Sequence, residues 1–100
     1  NYKQASYWYR QAAKQGYADA QADLGRLYET GRGVEQDYRQ AYLWYALAAT
    51  RGDAAAARNR DLLAGKLLPV EVADAQRAAR EWQPKKWQPP PTTGPPPNPR

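Results

Sequence analysis

Shifting this sequence against itself by 36 residues superimposes Tyr2 on Tyr38, Ala5 on Ala41, Trp8 on Trp44, Tyr9 on Tyr45, Ala12 on Ala48 and Ala13 on Ala49. Gly16 falls on Gly52, Ala18 on Ala54, Ala20 on Ala56 and Leu27 on Leu63, so the stretch from Ala5 to Gly33 organises the chain. A period in the mid-thirties is that of stacked helical hairpins, each burying its apolar face only against a neighbour. Composition agrees. The apolar share of 42% is dominated by Ala with Tyr, Leu and Trp, and there is no Phe or Met. Small residues let helices approach and large aromatics fill the remaining space, whereas β-branched residues are too scarce for strands. The fold class that follows is all-α.

Asn1 and Asp37 stand at equivalent positions and are natural N-caps. The first helix is expected over Tyr2 to Gln15, with Gly16 as its stop, and the second over Ala18 to Glu29 with Ala20, Leu24, Leu27 and Tyr28 as its buried stripe. Gly25 inside that helix costs about 1 kcal/mol relative to Ala, which implies a close helix crossing. Thr30-Gly31-Arg32-Gly33 is a turn, and Val34 is expected to anchor the following loop in the core. The third helix is expected over Tyr38 to Arg51, ended by Gly52, and the fourth from Asp53 as cap to Ala64.

Pro69 suits the first position of a fifth helix, since its fixed φ and missing N–H are harmless there. Val72, Ala75, Ala79 and Trp82 then form one apolar stripe, read as a cap over the open end of the last hairpin. The expected organisation is therefore a helical unit over 1–83, with the cap at about 69–82, and a proline-rich tail over 84–100 of polyproline-II or disordered character.

The stretch ASYWYRQAAKQGYADAQADLGRLYETGRGVEQDY, continued by RQAYLWYALAATRGDAAAA, resembles the Sel-one-like repeat family, relatives of the tetratricopeptide repeats. The likeness rests on A-x-x-W-Y-R-x-A-A-x-Q-G, on A-x-A-Q-x-x-L-G-x-x-Y-x-x-G-x-G-V, and on the D-Y that opens the next unit. It covers roughly Tyr2 to Ala57. The second unit departs from it, with Ala46 for Arg, Arg51 for Gln and no L-G pair. The resemblance implies a right-handed α–α superhelix, or solenoid, of two antiparallel helix pairs plus a C-terminal capping helix, the chain being a C-terminal fragment of a longer repeat protein. It also implies a non-enzymatic bacterial interaction scaffold, with a periplasmic or secreted location favoured.

Catalytic chemistry has little to stand on. Without His or Cys the usual general bases, thiol nucleophiles and soft metal ligands are missing. Asp19 with Asp23, and Glu71 with Asp74, are spaced as solvated helix faces rather than acid/base dyads. Gly31-Arg32-Gly33 follows a helix and lacks the strand–turn–helix context of a phosphate loop. No cofactor is expected. A net charge of +5 raises nucleic acid as a partner, but Lys and Arg interleave with acidic residues along the chain, a poor electrostatic footprint. No apolar run is long enough to span a bilayer.

The expected partner is another protein. On the first helix Tyr7, Arg10, Gln11 and Lys14 lie between the signature residues and are expected to face outward on the concave side. The matching positions on the third helix are Leu43, Ala46, Leu47 and Thr50, with Tyr42 a further exposed aromatic; aromatics and Arg are enriched at interaction hot spots. Leu43 and Leu47 are equally placed to be covered by the fifth helix. Trp8, Tyr9, Trp44 and Tyr45, recurring in register, are expected to be core. Two further readings stay open: a structural spacer without its own ligand, and a polyproline ligand made by Trp82, Trp87 and the proline runs of the tail.

Overall fold

A computed structural model describes residues 1–85 and consists there of five α-helices with no strand. They are α1 (Tyr2–Lys14), α2 (Ala18–Thr30), α3 (Tyr38–Thr50), α4 (Ala54–Ala64) and α5 (Pro69–Glu81). The expected proline-rich tail falls almost wholly outside the described residues, as does Trp87.

The repeat is visible in the helix ends. The Asn1 carboxamide oxygen accepts from the backbone N–H groups of Lys3 and Gln4 at 2.8 and 3.4 Å, and Asp37 repeats this with Arg39 and Gln40 at 3.0 and 3.2 Å. Asp53 caps α4 through the Ala56 N–H at 3.0 Å. Each cap supplies an acceptor to donors that have no partner within their helix. At the other end, Gly16 and Gly52 turn the chain with φ of 103° and 99°, a left-handed conformation that residues with a Cβ adopt only at a cost. Pro69 opens α5, where the Glu71 carboxylate accepts from the Leu68 N–H at 2.9 Å.

Packing centres on α3, which α2, α4 and α5 all contact. Ala41, Tyr42, Tyr45, Ala46 and Ala48 form one buried cluster with Ala56 and Leu63 of α4 and Ala75 of α5. Trp44 and Leu47 form a second with Ala13 of α1 and with Ala20 and Leu24 of α2. Gly25 is the close crossing that its cost implied: a Cβ there would stand 2.9 Å from two carbons of the Tyr45 ring. Burying these apolar surfaces is what drives the stack together.

Val34 does not anchor its loop in the core: it is only half-buried and is no part of either cluster, because the loop carrying it runs along the surface. The stripe of α5, expected to cover the open end of the last hairpin, lies chiefly on α3, while Leu62 of α4 stays exposed. Helices α3 and α5 run in the same direction, with Glu71 near Arg39, Gln76 at Tyr42, and Trp82 edge-on to Trp44 at 6.2 Å between ring centroids. Finally, Trp8 and Tyr9 are not core. They are 52% and 37% exposed, against 6% and 1% for Trp44 and Tyr45, because α2 packs onto α3 and no described helix packs onto α1 in the same way.

Candidate protein-interaction surface

Helix α5 divides the expected concave surface in two. On α3, Tyr42 is 4% and Leu47 5% exposed, so neither offers a free face; Leu43 is half-buried and packs with the Trp44 cluster. The Tyr42 hydroxyl accepts from the Gln76 side-chain N–H at 3.3 Å, and Leu47 shares its cluster with Ala79 of α5 and with Trp82 just past its end. Of the two placements open to Leu43 and Leu47, Leu47 is covered, while Leu43 stays half-buried and lines a cleft with Ala75 and Ala78 of α5. An amphipathic helix has to bury its stripe, and the row of apolar positions on α3 is where it does so.

On α1 the expected residues lie differently. Tyr7, Arg10 and Lys14 are half-buried, while Gln11 is buried in the hairpin. Tyr7 meets Trp8 edge to face at 5.5 Å between centroids. Arg10 enters a cleft of about 490 Å3 lined by Tyr28 of α2, Val34, Glu35, Gln36 and Asp37 of the loop, and Gln40 of α3. Its Nε is buried and has no acceptor among the described residues. The Lys14 carbonyl accepts from the Lys85 N–H at 2.7 Å, which ties the chain beyond α5 to the end of α1.

Two features of the site escaped the reading of the sequence. Tyr45 donates to a Glu29 carboxylate oxygen at 2.7 Å while its ring covers Gly25. Burial pushes its phenol above the ordinary range, and the hydrogen bond and negative charge of Glu29 add to that shift. A Gly and a Glu four apart on one helix gave the only hint, and the crossing that joins them to Tyr45 is tertiary. The second feature is a cleft of about 430 Å3 between α1 and α2, lined by Tyr2, Ala5, Tyr9, Leu27 and Arg32 among others, with the Arg32 guanidinium 5.3 Å from the Tyr2 ring centroid.

Among the described residues no group of three His, Cys, Asp or Glu side chains is placed to hold a metal ion. No described helix is long and apolar enough to cross a membrane.

Helical hairpins in register, closed on one side by an amphipathic helix, define an all-α solenoid-like repeat protein. The chain belongs to the Sel1 repeat family, whose profile matches residues 1–17 and 18–53. Repeats of this kind are generally protein-interaction modules and form a non-enzymatic scaffold family. A solved structure, that of c5321, described as a protective antigen present in uropathogenic Escherichia coli strains and displaying an SLR fold, is similar at 35% identity with a TM-score of 0.77. The match covers 82% of this chain and 18% of that one. No curated protein matches the chain.

Proposed function

We propose that this chain is a non-enzymatic adaptor that binds another protein through the Arg10 cleft and the adjoining face of α1. The observation that carries the reading is the position of Arg10: it is half-buried, its Nε shielded and without an acceptor among the described residues, and it lines a cleft with Tyr28, Val34, Glu35 and Gln40. Because Arg10 as a whole is only half-buried, the guanidinium donors other than Nε are where a partner's carbonyl or carboxylate oxygen would pair. Tyr7 and Lys14 adjoin on the same helix and complete a surface of the composition that interaction hot spots favour. Bacterial context and a periplasmic or secreted location belong to the same proposal.

The test is affinity capture from the native organism's extract with the full chain and with Arg10→Ala and Tyr7→Ala, each first shown by circular dichroism to keep its helices. A retained protein whose affinity falls on the order of tenfold or more with Arg10→Ala supports the reading. Equal retention by both variants counts against it.

A further inference from the structure

Beyond α5 the chain crosses to α1. Trp82 ends the helix in extended conformation, with φ of −68° and ψ of 141°. Pro84 favours an extended Gln83 as well, because its ring crowds the helical region of the residue before it. Three extended steps cover about 10 Å. Over that length the Trp82 ring meets Trp44 of α3 edge-on at 6.2 Å between centroids, and the Lys85 N–H donates to the Lys14 carbonyl at 2.7 Å.

The contact at Lys14 falls on the surface assigned above to a partner. Tyr7, Arg10 and Lys14, at spacings of three and four, share one face of α1, and segment 82–85 reaches the C-terminal end of that row. We propose that segment 82–85 is an autoinhibitory strap: when closed it covers the Lys14 end of the α1 surface and the Trp44 indole, and a partner protein has to displace it. The inference rests on the reading of α1 as the partner surface.

Both holds of the strap are of a kind that a partner can take over. Lys14 carries one of the last carbonyls of α1, which have no donor within their own helix, so another N–H can replace that of Lys85. Trp82 is half-buried and Gln83, Pro84 and Lys85 are exposed, so the segment rests on the surface rather than in the core. The cover is also incomplete. The Trp44 indole N–H stays buried without an acceptor among the described residues, and an unmatched buried donor weighs against the closed state. A strap held this lightly lowers the apparent affinity for a partner by the fraction of chains in which it is open.

The test uses the full chain with Lys85→Pro, which deletes the donor to Lys14 at an exposed position past the last helix, and with Lys85→Ala, which keeps the donor and removes only the charge. Hydrogen exchange followed by NMR is expected to show the Lys85 amide of the full chain slowed roughly two- to tenfold relative to an unstructured peptide, the range of one hydrogen bond. An unprotected amide overturns the strap. In affinity capture from the native organism's extract, Lys85→Pro is expected to bind the retained protein roughly two- to tenfold more tightly than the full chain, with Lys85→Ala unchanged. Arg10→Ala, run alongside, separates the two readings. If it weakens binding while Lys85→Pro leaves it unchanged, the strap is overturned and the α1 surface stands. Weaker binding by Lys85→Pro makes the segment part of the partner site and overturns inhibition. No effect of Arg10→Ala, or no protein retained by any variant, overturns the α1 surface and the strap with it.

Discussion

The Tyr45 ring occupies the space that a side chain on Gly25 would need, with two ring carbons 2.9 Å from where a Cβ would stand. Helix propensity alone favours replacing this mid-helix Gly by Ala, by about 1 kcal/mol. Overpacking at a crossing held between α2 and α3 typically costs 1–3 kcal/mol, and Tyr45, buried and anchored to Glu29, has little room to retreat. Gly25→Ala is therefore expected to be destabilising by a net of up to about 2 kcal/mol in urea unfolding. A gain in stability would show that the crossing relaxes freely.

Tyr45 also gives a signature in alkali. Its phenol is raised in the folded state, chiefly by burial and then by Glu29, so the folded chain holds that proton more tightly than the unfolded one. The stabilisation is complete below the ordinary tyrosine range near about 10 and declines as pH rises above it. Tyr45→Phe removes this dependence along with a hydrogen bond worth about 1 kcal/mol. The stability difference between wild type and Tyr45→Phe is expected to be constant around neutrality and to shrink above about pH 10, whereas parallel curves would mean the phenol is not buried.

Removing α5 uncovers Tyr42, Leu47 and the face of Trp44 that meets Trp82. Truncation before Pro69 is expected to cause aggregation or partial melting, seen by sedimentation and circular dichroism. Trp82→Ala is the milder probe, with an expected loss of about 1–3 kcal/mol because the indole is only half-buried. A truncated chain that stays monomeric with an unchanged midpoint would show the helix to be dispensable.

The paired caps predict an asymmetry. Asp37→Ala is expected to cost about 1 kcal/mol, since α3 forms the centre of both buried clusters and its first turn cannot fray without disturbing them. Asn1→Ala, at the repeat-equivalent position on α1, is expected to cost less, because α1 lies outside the centre of the two buried clusters and its Trp8 and Tyr9 are exposed. Equal losses in denaturant titrations would contradict the central role of α3.

Local chemistry was enough to establish the helices. Asn1, Asp37 and Asp53 as caps, Gly16 and Gly52 as stops and Pro69 as a start act within one turn of themselves, so reading them in order placed five helices to within a residue or two. The cost of Gly25 likewise announced a close crossing before any partner was visible. What the sequence by itself determined was thus the repeat, the helices and the family. The tertiary structure alone decided which faces are free. Trp8 and Trp44 are the same residue type in the same local pattern, yet one is open and the other buried, because burial depends on which helix lies opposite. Tyr42 read as exposed for the same reason, and Leu47 as either open or covered, whereas α5 lies along α3 and both are buried. Helix formation is decided within a few residues, while exposure is decided by neighbours tens of residues away, and no single period of the repeat carries that information.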